Sequence, residues 1–117
     1  MSADGVVELR VYRLEPGRSA SFDHLMRDGI VPMLRRYRIR VVEFGPCAVH
    51  PDHYYLVRTY PSLPARQEAL AGFYGGEEWS ATFAGPADEM IADLTTVVLP
   101  AGAPLARAVS ASFPGDG

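Results

Sequence analysis

From Val6 to Arg13 the chain alternates, with Val7, Leu9 and Val11 on one parity and Glu8, Arg10 and Tyr12 on the other. That is the period of a half-buried strand. Glu15-Pro16-Gly17 ends it as a turn. Between Arg18 and about Tyr37 the period changes: Phe22, Leu25, Met26, Ile30, Met33, Leu34 and Tyr37 recur at intervals of three and four, the stripe of an amphipathic helix. Gly29 and Pro32 interrupt the stripe, and because proline lacks a donor and crowds the preceding turn, a kink or short break is expected there. Two β-branched and aromatic runs follow, Arg40 to Val49 and His53 to Tyr60, joined by His50-Pro51-Asp52, whose residue types suit a type I turn. Ser62 then caps a helix expected to reach about Ala71, with breaks at Gly72 and at Gly75-Gly76. A further helical piece carries Trp79 and Phe83 as packing anchors and is expected to stop near Gly85-Pro86. A helical turn around Ala87 to Ala92 leads into a last strand, Leu94 to Leu99, closed by Pro100.

The order strand, helix, strand, strand, helix, strand predicts an α+β, ferredoxin-like βαββαβ domain: a four-stranded antiparallel sheet with both helices on one face. The parities expected to face away from the helices include Tyr12, Phe44, Tyr54, Leu56 and Tyr60, too much aromatic surface to leave in water. Pairing two sheets face to face would bury it around a central barrel with a polar and aromatic cavity in each half, so a homodimer is expected. Residues 1–5 read as an N-terminal extension, 6–100 as the domain, and 101–117, rich in Ala, Gly, Pro and Ser, as a flexible or partner-wrapping tail.

At 117 residues there is room for one core. A net charge of -3 leaves no electrostatic footprint for nucleic acid. No apolar run approaches the roughly 20 residues of a spanning helix, no leader pattern opens the chain, and the lone Cys47 makes neither an internal disulfide nor a zinc site. A cytoplasmic protein away from the membrane is expected.

Glu8-Leu9-Arg10-Val11-Tyr12 with Pro16-Gly17, then Gly29 to Leu34, Tyr60 to Arg66, and Glu77-Glu78-Trp79 with Phe83 follow in order along roughly residues 6–100, and together they resemble the NIPSNAP family of the dimeric α/β-barrel superfamily. Glu8-Leu9-Arg10-Val11-Tyr12 followed by Pro16-Gly17 is similar to the family's opening strand and turn. Gly29-Ile30-Val31-Pro32-Met33-Leu34 resembles its Gly-x-x-Pro-x-Leu segment, Tyr60-Pro61-Ser62-Leu63-Pro64-Ala65-Arg66 its Tyr-x-Ser-Leu-x-x-Arg, and Glu77-Glu78-Trp79 with Phe83 its acidic-Glu-Trp-x-x-x-Phe. Where the family commonly has Gly at the end of the first helix and in the second strand, this chain has Arg38 and Glu43; where its third strand often carries His and Trp, this chain has Leu56 and Arg58. The resemblance implies a homodimer and, from related families, an enzyme of the monooxygenase, cyclase or proton-transfer type that needs no bound cofactor, acting on an aromatic or polyketide-like molecule. A non-catalytic binding or protein-interaction module is the alternative, in keeping with the family's general character.

The candidate chemistry lies on two strand faces. Glu8, Arg10 and Tyr12 share one parity, and Tyr54, Arg58 and Tyr60 share another. Meeting inside a barrel, they would form a polar cluster in which Arg holds a carboxylate or enolate, Glu8 moves a proton and a Tyr hydroxyl stabilises an oxyanion. Glu8, Arg10, Tyr12, Arg58 and Tyr60 are therefore the candidate catalytic residues; Glu43, Phe44, Tyr54 and Leu56 are candidates to contact a small organic ligand. The competing reading makes Glu8 and Arg10 a structural ion pair. His50, Asp52 and His53 form a solvated hairpin turn rather than a metal site, His24 lies off the apolar stripe, and no dinucleotide or phosphate-loop fingerprint occurs, so neither metal nor cofactor is expected.

Overall fold

A computed structural model describes residues 5–112. The alternating N-terminal run forms β1 (Val6–Leu14), which pairs antiparallel with β3 (His53–Tyr60) on one side and β4 (Ile91–Pro100) on the other. The strand β2 (Arg40–Pro46) pairs antiparallel with β3, giving the order β2-β3-β1-β4 expected of a ferredoxin-like domain. The turns follow their chemistry. Pro16 and Gly17 occupy the turn centre with Gly17 at φ +78°, and the Arg18 N–H donates to the Glu15 carbonyl at 3.1 Å, a type II arrangement. Across His50-Pro51-Asp52, the His53 N–H donates to the His50 carbonyl at 3.1 Å.

Between β1 and β2 the chain is helical without a break. The helix α1 (Ser19–Leu25) passes through a π-helical turn, Met26–Ile30, into α2 (Val31–Arg36). The expected interruption at Gly29 and Pro32 is thus a widened turn, which makes room for the proline ring and its missing donor. Arg38 closes α2 at φ +63°, with its N–H on the Arg35 carbonyl and that of Ile39 on the Leu34 carbonyl, both at 3.0 Å. That is the paired hydrogen bonding of a Schellman cap, made with Arg where glycine is the unstrained residue.

Ser62 caps α3 (Leu63–Tyr74), its hydroxyl accepting from the Ala65 N–H at 3.1 Å. Gly72 lies inside this helix, which ends at Gly75 rather than near Ala71. The next helix runs from residue 77 through a second π-helical turn, Trp79–Phe83, into α4 (Ala84–Met90), so Gly85-Pro86 does not stop it. The last strand starts at Ile91, three residues earlier than Leu94. Within the stretch expected to be a tail, α5 (Pro104–Ser112) is helical and buries Ala106; residues 1–4 of the expected extension and 113–117 of the tail lie outside the described residues.

The two faces of the sheet are the reverse of the expectation. Val6, Tyr12 and Leu14 of β1 and Tyr54, Leu56 and Tyr60 of β3 pack with Phe22, Met26, Ile30, Leu34, Phe73 and Phe83 of the helices. The aliphatic parity, Val7, Leu9 and Val57, lies on the outer face with Val42, Tyr55 and Leu99, partly covered by Ala103 and Ala106. Alternation shows that a strand has two faces, but both parities here are apolar, and which one the crossover helices cover is set by strand direction and connection handedness. The aromatic surface therefore already has a cover within the chain.

Candidate functional site

Glu8 and Arg58 stand opposite one another in the β1–β3 register, and neither exposes any side-chain surface. The Arg58 Nε donates to Glu8 Oε1 at 2.5 Å, and Nη2 lies equally near that oxygen without an aligned hydrogen bond. Arg66, in the first turns of α3, donates through Nε to Oε2 at 2.7 Å, and the Tyr60 hydroxyl donates to Oε1 at 3.2 Å. Burial works against the Glu8 charge, but Arg58 and Arg66 outweigh it and hold the carboxyl below its ordinary range. Burial pushes the Tyr60 hydroxyl up. Glu8 is thus a clamped counter-ion between strand and helix, and its partner is Arg58, not Arg10.

Arg10, one pleat further along β1, reaches a different place. Its Nη1 donates to the Tyr74 hydroxyl at 3.1 Å, and the same hydroxyl accepts from Arg58 Nη1 at 3.0 Å. The Arg10 guanidinium lies 5.4 Å from the Tyr12 ring centre and 5.5 Å from that of Tyr74, so its charge is held between two aromatic faces. Burial raises the Tyr12 hydroxyl to about 12, against the pull of Arg10.

Beside this group the helices stand off the sheet and leave a cavity of about 260 Å³. Arg10 and Tyr12 line it from β1; Phe22, Met26 and Ile30 from the first helical run; Tyr74 from α3; Trp79, Ala87 and Asp88 from the helix after it; Ile91 and Leu94 from β4. Asp88 and Leu94 are exposed and mark its mouth beside the edge strand. Both π-helical turns contribute wall residues, and they meet: a Cβ on Gly29 would lie 2.5 Å from the Phe83 ring. Extra backbone atoms in one turn re-aim the residues that follow, a common device at sites. The mixture of an apolar wall, one guanidinium and two phenols suits a small organic molecule with a polar head, and guanidinium with phenol suits negative charge developing on an oxygen.

Of the residues singled out in the sequence, Arg10 and Tyr12 face the cavity, and Glu8, Arg58 and Tyr60 form the ion cluster behind it. Tyr54, Leu56 and Phe44 pack in the core away from the cavity walls; the Tyr54 hydroxyl donates to Asp23 Oδ1 at 2.5 Å, and Arg27 lies over the Phe44 ring at 5.1 Å. Glu43 is across the sheet. A β-bulge after Val41 sets it opposite Val57 on the outer face, where its carboxylate, after burial itself, raises the Tyr55 hydroxyl. Sequence reasoning missed Tyr74, Asp88 and the cavity role of Trp79, and quoted Arg66 only within a motif. The spacing of Arg66 four residues past a Ser cap places it one turn into a helix, the one signal that it points back at the sheet. Among the described residues no three His, Cys, Asp or Glu side chains are grouped to hold a metal, and no helix is long and apolar enough to cross a membrane.

No family model and no curated protein matches the chain. Solved structures do. A NIPSNAP family protein from Agrobacterium tumefaciens superposes with a TM-score of 0.78 at 19% identity, over 90% of this chain and 94% of that one. An uncharacterised NIPSNAP-like domain protein from Burkholderia xenovorans gives 0.74 at 21% identity, over 84% and 85%. A putative antibiotic biosynthesis monooxygenase from Nitrosomonas europaea gives 0.64 at 13% identity, over 89% and 96%. The chain has the four-stranded α+β fold that these NIPSNAP proteins share.

Proposed function

We propose that this chain is a NIPSNAP-like protein that binds a small organic molecule between its sheet and its helices, and that Arg10, Tyr12, Tyr74 and Trp79 form the working wall of the site. The observation that carries the reading is the cavity itself, about 260 Å³, with a largely apolar lining into which one guanidinium and two phenols are built and a carboxylate, Asp88, at the mouth. A volume of that size takes a molecule of one or two rings. The likeness to a putative antibiotic biosynthesis monooxygenase supports, as an analogy of fold, a ligand that is also turned over. In that chemistry Arg10 and Tyr74 would stabilise charge on a substrate oxygen, while Glu8 stays ionised as counter-ion to Arg58 and Arg66 and takes no proton.

The same reading includes a homodimer, on different grounds from the aromatic face inferred above. The outer face is aliphatic, α5 covers part of it, and Val97 on edge strand β4 remains 43% exposed beside half-buried Leu9. A second copy supplies a matching surface by two-fold symmetry.

Native mass spectrometry after incubation with a set of aromatic and polyketide-like compounds tests both parts. The expected result is a dimer that retains a compound, with retention lost when Ala87→Phe fills the cavity. Wild-type protein that retains nothing, or a plugged variant that retains as much, overturns the ligand reading. A mass of 12.8 kDa overturns the dimer.

A further inference from the structure

We infer that the cavity selects organic anions, a flat apolar body carrying a carboxylate or an acidic enol, and that Arg10 and the Tyr74 hydroxyl are the groups that hold the anionic head. This deepens the ligand-site reading above and rests on it.

The charges around the cavity do not balance. Three guanidinium groups, Arg10, Arg58 and Arg66, are linked through the Tyr74 hydroxyl and Glu8, and only Arg58 and Arg66 reach the Glu8 carboxylate. Both Glu8 oxygens are taken by Arg58 and Arg66, so Arg10 has no carboxylate partner among the described residues. Its Nε is buried and makes no hydrogen bond. The faces of Tyr12 and Tyr74 offset part of that deficit, but a ring face does not replace an acceptor for an N–H. Asp88 is the one carboxylate in the cavity wall, and it stands exposed at the mouth.

Tyr74 adds the second half. A phenol has one proton to give and lone pairs to receive with. Here the oxygen receives from Arg10 and from Arg58, so its proton has to point elsewhere, and among the described residues no acceptor takes it. Tyr74 lines the cavity. The Tyr74 O–H, a donor without an acceptor, therefore sits with the Arg10 guanidinium on one side of a space whose other walls include Met26, Ile30, Trp79 and Ile91, while the Arg10 Nε itself is shut off behind that wall. An oxygen that only accepts takes the Tyr74 hydrogen bond and sets its negative charge against the Arg10 guanidinium. A carboxylate or enolate does so with charge assistance, whereas a primary amide of the same shape brings donors of its own and no charge.

The test is a matched pair of probes, 2-naphthoate and 2-naphthamide, titrated calorimetrically at neutral pH into the full-length protein. Wild type is expected to bind the naphthoate at least about tenfold more tightly, the usual scale of a charge-assisted contact. Arg10→Met is expected to bring the ratio of the two affinities close to one. Tyr74→Phe, which keeps the ring and removes only the hydroxyl, is expected to lower it severalfold. Because the readout is a ratio within one protein sample, loss of folded protein does not imitate the result. Equal or tighter binding of the naphthamide by wild type overturns the anion assignment and leaves the cavity reading standing. An undiminished ratio in Arg10→Met removes Arg10 from the role. Binding of neither probe takes down the cavity reading, and the anion assignment with it.

Discussion

Glu8 is where two distant stretches of sequence meet: Arg58 and Tyr60 come to it along β3, and Arg66 comes from the helix that Ser62 caps. Glu8→Gln would leave two guanidinium groups facing a neutral amide inside the core. A loss of about 3–5 kcal/mol in unfolding free energy is expected from denaturant titration, the usual scale for removing one partner of a buried pair. The pH dependence has a definite sign. Since the folded carboxyl is held below 4.5, its contribution is complete above that value and is lost as the pH falls below it, so acid unfolding of the Gln variant should be less steep than that of wild type. At the alkaline end Tyr12 holds its proton to about 12, while an unfolded tyrosine titrates near 10. Stability should therefore fall as the pH rises from about 10 to about 12, with phenolate absorbance appearing together with unfolding. Arg38 gives the opposite kind of prediction: at φ +63°, Arg38→Gly should stabilise by about 0.5–1 kcal/mol in a thermal melt, the strain relieved less the extra freedom of an unfolded glycine. Residue types were legible at this scale, down to the expectation that Arg stands where glycine belongs. Partners were not, because Glu8 has Arg10 two residues away in sequence and Arg58 opposite it only once the register exists.

The elements were legible as periods and misread at their interruptions. Gly29 with Pro32 reads as a kink or short break in a sequence, and Gly85 with Pro86 as a stop; in the structure each proline follows a π-helical turn by two or three residues, and the helix continues. A wide turn shifts the hydrogen-bond ladder where the proline donor is missing, which no pattern of apolar spacing records. The spacing of Gly29 acquires its meaning only from the other helix, since its bare Cα faces the Phe83 ring at the crossing of the two π turns. Gly29→Val should displace that ring and lower stability by about 1–3 kcal/mol, read from a denaturation midpoint at unchanged slope. An unchanged midpoint would mean that the crossing is loose.

For the molecule as a whole, element order was enough for the fold and could not orient it. The alternation of β1 separates Val7, Leu9 and Val11 from Glu8, Arg10 and Tyr12 whichever face the helices cover, and the aromatic parity turns out to lie under them. This moves the candidate site from a space between two copies to a space within one, and leaves the aliphatic face as the surface on which the proposed dimer rests. Val97→Asp should then shift the protein from dimer to monomer in sedimentation while leaving its far-ultraviolet circular dichroism unchanged; a dimer that persists would place the interface elsewhere. The space between sheet and helices is the proposed site, and the chain's single tryptophan stands on its wall. Labelling with 5-fluorotryptophan gives one fluorine resonance, from Trp79, to follow while bound compounds are titrated in. Every compound that the protein retains is expected to move that resonance, and Ala87→Phe to abolish both retention and movement; retention with the Trp79 signal unmoved would put the site elsewhere.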